Sequence, residues 1–567
     1  MFQKDTLAVR VLAGTNMFFS GVGAILEYGT RNSRKSDLAQ AYEVELRKVL
    51  DSLGWDDVPI YKRIYSRGFI FAIPTEFDLT VAGRKILGIV FDMVVAKFNQ
   101  EEIPDFDEEV DYLDYVISRE RYKTLRNIYD EAKRRLFNVY LNDGVISIGS
   151  GKGAFIANID EISFDDVPWD SIYEIPSVLV TGTNGKTTTV RLTSFISQHA
   201  GKTVGYCSTD WVMINGEVVS EGDLSGPNGN RTVMTNPAVD VAVLEVARGG
   251  MVKRGLATSN VSGAVVVNVT ADHLGVNGID TVQDLALAKF TVQNAVRVGG
   301  HNIVNLDDEL SYLFIDDLPC AKAFFSQKLT EIEMISYLHN SDDYACFVQD
   351  NVFYVYQNGV KHRIAAMDDV DLTYGGLAKH NIENVLAAIC LSLELGRTYS
   401  EITAGLMAFR NDENNQGRFN LFDIKGNKIL VDYGHNFASI DNMLKFARSI
   451  AKPHSELTVL LGFSGDRKFM INDVTSSVVK YDINNVILKM FTNHLRGAEV
   501  GEVVDLLKDN LVSKGFNSQN ILATVETELE ALDIVFSRLG QDNIFIMLCQ
   551  DQALEIINAI KKYSATT

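Results

Sequence analysis

VLVTGTNGKTTTVRL, residues 178–192, is an apolar run, a glycine-bracketed turn holding one lysine, a row of threonines and the start of a helical pattern. Strand, glycine turn, Lys-Thr and helix, in that order, is the context a phosphate-binding loop requires. Val178, Leu179 and Val180 predict a buried strand, and Val190, Leu192, Phe195 and Ile196 fall on one face of the helix that follows. Gly182 and Gly185 let backbone N–H groups converge on phosphate oxygens, Lys186 neutralises charge, and Thr187 offers its hydroxyl to Mg²⁺. The spacing departs from G-x-x-x-x-G-K-[ST], because position 180 is Val. A second glycine-rich stretch, SIGSGKGAF at 147–155, has no Ser or Thr after Lys152 and no clear helix after Gly153, so it reads as a turn.

Outward from the loop, SVLVTG, VAVLEVARGG and GAVVVNVTADH are each followed by an amphipathic stretch. That is the rhythm of a mostly parallel sheet covered by helices. Residues 344–364, with the turn Asn358-Gly359 between alternating runs, read as an inserted hairpin. After about 411 a second α/β series begins with KILVDYGHN, LTVLLGFSG, NNVILKM and NIFIMLC. The expected fold is α/β in three domains. These are an N-terminal α+β domain over 1–172, a central P-loop, mostly parallel α/β ATPase domain over 173–410, and a C-terminal Rossmann-like α/β domain over 411–567. Within the first, acidic EEIPDFDEEVDYLD at 101–114 precedes the basic, helix-like ISRERYKTLRNIYDEAKRRLF, and this charge run reads as a solvated face without chemistry.

A chain of 567 residues exceeds what one core fills, which agrees with several domains. Its 53 basic and 74 acidic residues give a formal charge of −21, which argues against broad attachment to nucleic acid or an anionic membrane. Cys207, Cys320, Cys346, Cys390 and Cys549 form no C-x-x-C pair, so neither a disulfide framework nor a zinc site is expected. The N-terminus lacks a long apolar segment and no run reaches the roughly 20 apolar residues of a membrane span. A cytoplasmic protein is expected.

Three further residues fall at strand ends or on the next helix, where open α/β sheets place ligands: Glu245 ends VAVLEVA, His273 lies in NVTADHLG and Lys289 in TVQDLALAKFTVQ. A carboxylate and an imidazole beside the phosphate site could hold a second divalent ion.

TGTNGKTTT at 181–189, NVTADHLG at 268–275, the lysine of LALAKF, HNIENVLAA at 380–388, GRFN at 417–420 and DYGHN at 432–436 together resemble the Mur ligase family, in that family's order. STDWVMINGEVVSEGDLSGPNGNR at 208–231, LEVARGGMVKRGL at 244–256 and DHLGVNGIDTVQDLALAK at 272–289 resemble the Mur-like module of cyanophycin synthetases, and VRVLAGTNMFFS resembles the opening of those enzymes. About 170 residues precede the loop, too few for both that N-terminal region and a complete ATP-grasp domain, so one ATP site is expected here.

The resemblance implies an ATP-dependent amide ligase working through an acyl phosphate. By position it gives Thr183, Asn184, Gly185, Lys186, Thr187 and Thr188 to the phosphates. It gives Thr187 and Glu245 to one Mg²⁺ and His273 to a second, and makes Lys289 the lysine that is carbamylated in many members. Asn381 falls on the adenine side, and Arg418, Asp432 and His435 on the nucleotide from the C-terminal domain. Ser225, Arg231, Arg248 and Arg254 are candidates to hold an acidic peptide or dipeptide carboxylate, which an amino acid or dipeptide amine then attacks. The expected function is synthesis of a cyanophycin-like amino-acid polymer from preformed dipeptide units by a homo-oligomer. The alternatives are a ligase adding one amino acid to another acidic acceptor, and a silent nucleotide-binding scaffold for a partner synthetase.

Overall fold

The computed structural model describes residues 6–142, 144–492 and 495–566. Two compact units emerge, one of residues 1–365 and 383–405, the other of 366–382 and 406–567.

The first unit is organised around strand Ser177–Thr181, whose five residues are all buried. Val241–Glu245 and Val261–Val266 flank it in parallel, with Leu179 opposite Leu244 on one side and Ala264 on the other. A strand covered on both edges and both faces has no solvated side, which is why SVLVT shows no polar alternation. In space the strands run Glu217–Glu221, Trp211–Ile214, Val204–Cys207, Val241–Glu245, Ser177–Thr181, Val261–Val266, Val296–Asn305, Ala321–Ser326, Tyr344–Gln349, Val352–Gln357 and Val360–Ala366. The middle is parallel and the flanks are antiparallel.

Residues 344–364 are therefore a correction to the sequence reading. They form three strands that extend the sheet edge, not a separate inserted hairpin. The reason lies in two turns: Asn358-Gly359 is one, and Asp350-Asn351, with φ of 50° and 58°, is the other.

Residues 1–172 hold two smaller sheets. Leu7–Leu12, Gly23–Gly29, Gly68–Pro74 and Tyr61–Tyr65 pair in that order, all antiparallel. Helices Lys35–Ser52 and Thr80–Asn99 pack on one face, where Tyr28, Tyr42, Phe69, Phe71 and Phe91 interlock. The acidic segment is itself helical from Phe106 to Glu120, because the Asp105 carboxylate caps the N–H groups of Asp107 and Glu108. The second sheet consists of Val139–Asn142, Val145–Ile148 and Phe155–Asn158. The glycines of 147–155 serve packing: a side chain on Gly153 would collide with the Tyr173 carbonyl, and one on Gly151, at φ 52°, would stand 2.5 Å from the Val239 oxygen.

The second unit carries Asn420–Ile424, Asn427–Asp432, Ile544–Leu548, Leu457–Leu461, Asn485–Lys489 and Ile521–Val525 in that spatial order. Its first pair is antiparallel and the rest parallel. Among the described residues no helix is long and apolar enough to cross a membrane.

Candidate active site

At the end of strand Ser177–Thr181 the chain turns through Gly182 and Gly185 into helix Lys186–His199. Gly185 is the residue before the helix and has φ 82°, a left-handed value that glycine takes without strain. A side chain there would also collide with the Asn384 carboxamide. The first N–H groups of the helix point out of its N-terminus, where they and the helix dipole favour an anion. Lys186 folds back, its Nζ donating to the Thr183 carbonyl at 3.0 Å.

Residues of the NVTADHLG segment fasten the loop. The Thr183 N–H donates to the Asn268 carbonyl at 2.8 Å and the Asn184 N–H to Asn268 Oδ1 at 2.9 Å. Thr183 Oγ1 donates to the Thr270 carbonyl and accepts from the Thr270 N–H, each at 3.0 Å. Thr187 and Thr188 are buried behind the loop.

Glu245, at the end of the neighbouring strand, is fully buried. Its Oε2 accepts from Thr187 Oγ1 and its Oε1 from Thr209 Oγ1, both at 2.9 Å. A buried carboxylate held by two hydroxyls, with no cation paired to it among the described residues, is a hard-oxygen donor set suited to Mg²⁺. Among the described residues no group of three or more His, Cys, Asp or Glu could hold a metal ion. An ion here would draw on Thr187, Glu245, water and phosphate oxygens, as Mg²⁺ commonly does.

Lys289 is 4% exposed, in the last turn of helix Val282–Phe290. Its Nζ donates to the Gly182 carbonyl at 2.6 Å. Burial, and then the nearby Lys186, push its ammonium well below the ordinary lysine value. His273 has a left-handed conformation, φ 49°, with Asp272 Oδ1 3.8 Å from its Nε2. The structure thus joins Lys186, Thr187, Glu245 and Lys289 around one loop, while His273 stands on a segment tied to that loop through Asn268 and Thr270.

Asn381, Arg418, Asp432 and His435 belong to the second unit. Asn381 Nδ2 donates to the Leu372 carbonyl at 3.0 Å. The Arg418 guanidinium lies 4.7 Å from the centre of the Tyr433 ring, which His435 meets edge-on at 5.1 Å. Asp432 accepts from the N–H groups of Phe419 and Gly434 at 2.7 Å each. Burial pushes its carboxyl above the usual value, although Arg418 opposes the shift.

The substrate candidates differ in what occupies them. Ser225 Oγ donates to Asp223 Oδ1 at 2.6 Å. Arg231 reaches the Leu141 carbonyl and Asn142 Oδ1 at 3.4 and 3.2 Å, holding the small N-terminal sheet. Arg248 Nη1 donates to the carbonyls of His273 and Val276 at 3.3 and 3.4 Å. Arg254 is exposed at the end of helix Arg248–Arg254.

Thr209, Asn268, Thr270 and Asn384 are site residues that reading the sequence did not single out. Asn268 and Thr270 sit inside NVTADHLG and Asn384 inside HNIENVLAA, so the motifs contained them. Thr209 sits inside STDWVMINGEVVSEGDLSGPNGNR at 208–231, so that segment contained it as well.

Residues 180–392 match the family described as Mur ligase middle domain. The chain is 31% identical over 394 residues to the cyanophycin synthetase of Crocosphaera subtropica, covering 69% of this chain and 44% of that protein. It is 35% identical over 390 residues to that of Trichormus variabilis, covering 68% and 42%. With the UDP-N-acetylmuramoyl-L-alanyl-D-glutamate–2,6-diaminopimelate ligase of Halalkalibacterium halodurans it shares 27% identity over 381 residues, covering 65% and 71%. The match therefore spans less than half the length of the two cyanophycin synthetases.

Proposed function

Since this chain carries a Mur ligase middle domain over 180–392, we propose that it is an ATP-dependent carbon–nitrogen ligase. The reading rests above all on the Thr187–Glu245 contact of 2.9 Å at the mouth of a glycine loop that opens a helix. A threonine hydroxyl bonded to a buried carboxylate beside a phosphate cradle is a donor set that a magnesium nucleotide needs.

In this reading a substrate carboxylate oxygen attacks the γ-phosphorus, an O–P bond forms, and the bond to the bridging oxygen breaks to release ADP. An amine nitrogen then attacks the acyl carbon, phosphate leaves with the C–O electron pair, and the nitrogen loses a proton. The loop N–H groups and Lys186 hold the negative charge that spreads over the transferred oxygens. Thr187 and Glu245 would hold one Mg²⁺, and His273 would serve a second. When bound, the ions supply charge neutralisation at the phosphates. Burial and the nearby Lys186 lower the proton affinity of Lys289 and so favour its neutral amine, the form that takes up CO₂; carbamylation therefore belongs to the proposal. Asn381, Arg418, Asp432 and His435 keep nucleotide roles, and Arg248 and Arg254 remain candidates for the acidic acceptor. Residues 1–172, 173–410 and 411–567 are taken as substrate-handling, ATP-binding and amine-binding domains.

The finer reading is joining of preformed dipeptide units into a cyanophycin-like polymer. It is supported by the 31% and 35% identity to cyanophycin synthetases over 394 and 390 residues. The test is ADP release with Mg²⁺-ATP against aspartate- and glutamate-rich peptides and β-aspartyl dipeptides, with and without free arginine or lysine, using Lys186→Ala as the blank. Release with dipeptides alone supports polymer synthesis. Release that requires a peptide plus a free amino acid makes it a one-residue ligase, and turnover by Lys186→Ala removes the phosphate-site assignment.

A further inference from the structure

The loop that carries His273 is anchored at both ends, and only one anchor belongs to the phosphate site. At its start, Asn268 and Thr270 bind Asn184 and Thr183. At its far end the partners come from the four-stranded N-terminal sheet. Asn277 Nδ2 donates to both Glu27 carboxylate oxygens, at 2.8 and 3.1 Å, and Glu27 is itself held by Arg10 at 3.1 Å. Arg63 Nε donates to the Gly278 carbonyl at 2.5 Å. Asp280 accepts from the Ser66 N–H and Oγ, each at 2.6 Å.

The same anchors reach Lys289. The Arg63 guanidinium pairs with Asp284. Asp284 accepts from the N–H groups of Asp280 and Thr281 at 3.0 and 2.9 Å and completes the capping box of helix Val282–Phe290. Lys289 sits in the last turn of that helix and reaches Gly182.

Within itself the loop closes one turn, the Gly275 N–H donating to the Ile279 carbonyl at 2.6 Å, and the rest of its backbone is held from outside. His273, Gly275, Asn277 and Gly278 have φ of 49°, 80°, 54° and 75°, all in the left-handed region. Non-glycine residues there persist only where the surroundings over-determine them. The surroundings here are Arg248, which holds the carbonyls of His273 and Val276, and the N-terminal sheet, which holds Asn277, Gly278 and Asp280. Gly278 is pressed so close to it that a side chain would stand 2.7 Å from Ile70 Cδ1.

We propose that the N-terminal sheet is a brace for the catalytic loop, with Glu27, Arg63 and Ser66 as positioning residues that set where His273 and Lys289 stand. The consequence for turnover rests on the ligase reading; the bracing itself does not. Groups that orient metal-site residues from behind are typically worth about 10–100-fold in metal affinity or activity.

The test uses the full chain with Glu27→Ala, Glu27→Gln and Ser66→Ala. Hydrogen–deuterium exchange is followed across the protein, and half-saturating Mg²⁺ and acceptor KM are measured by ADP release. In Glu27→Ala, exchange rises over 272–284 while the other sheets stay protected. Half-saturating Mg²⁺ rises about tenfold, with acceptor KM unchanged. Glu27→Gln keeps an oxygen for Asn277 and restores most of both, and Ser66→Ala moves them the same way by less. Unchanged exchange over 272–284 in both alanine variants overturns the brace, as does a rise in acceptor KM alone. If the unaltered protein releases no ADP with any acceptor, the ligase reading fails, and the exchange data still decide the brace.

Discussion

Lys289 Nζ donates to the Gly182 carbonyl at 2.6 Å across 107 residues of sequence. The contact ties the tail of one helix to the first glycine of the phosphate loop and buries an amine beside Lys186. Two neighbouring amines repel each other less when one of them is neutral.

Lys289→Ala should fold, because removing a buried amine removes a desolvation cost, and should lose about 100-fold or more in ADP release. If Lys289 carries the proposed carbamate, short carboxylic acids should restore part of the rate by standing in for that anion. Full activity of this variant would take Lys289 out of the reaction.

Gly185→Ala meets two obstacles at once, φ 82° and the Asn384 carboxamide. A loss of about 2 kcal/mol in chemical denaturation is expected, with weakened nucleotide binding. Adding Asn384→Ala should relieve only the collision, so partial recovery separates the two terms. Full recovery would mean that the left-handed backbone costs nothing there.

His301 and Glu394 make a pH-dependent pair. Nδ1 of His301 lies 3.0 Å from Glu394 Oε1, and its Nε2 faces the Asp342 carbonyl at 2.8 Å. Burial alone would lower the histidine, but the Glu394 bond and charge outweigh it and hold it above 6.5. A histidine raised in the folded state adds stability that is full below its unfolded value and is lost as pH rises through the folded one. Denaturation midpoints should therefore fall from about pH 6.5 upward, and His301→Gln should flatten that slope. The same slope in the variant would assign it to other groups.

In the second unit, Lys489 and Glu528 are 4% and 0% exposed and 2.7 Å apart. Glu528 also accepts from the N–H groups of Gln550, Asp551 and Gln552, at 2.7, 3.1 and 2.6 Å. Lys489→Ala leaves that carboxylate without its cation and should cost about 3–5 kcal/mol. Lys489→Met with Glu528→Gln should cost clearly less in the same denaturation experiment. Equal losses would show that the backbone bonds, and not the charge pair, carry the stability.

The phosphate loop was legible because its signal is contiguous: buried strand, glycines, Lys-Thr and helix all lie within residues 177–199. The contacts of Thr209 with Glu245 and of Asn384 with Gly185 were not, since each joins residues far apart in the chain, and a single sequence carries no mark of that. The reading of 344–364 failed for a local reason. Alternating runs signal strands, but Asp350-Asn351 carries no glycine or proline to mark its turn, so a three-strand extension of the sheet reads as one hairpin. The acidic run at 101–114 shows the limit of charge patterning: its helix begins at an aspartate cap, a signal carried by one residue.

Strand Ser177–Thr181 finds both of its neighbours later in the chain, at Val241–Glu245 and Val261–Val266. On a translating ribosome the stretch through Cys207 emerges with the central strand bare on either side. The phosphate loop then waits for Asn268 and Thr270, which come further still. Nucleotide competence should arrive late and abruptly during synthesis, once these downstream segments have left the exit tunnel. Until then the apolar strand is a ready target for chaperones.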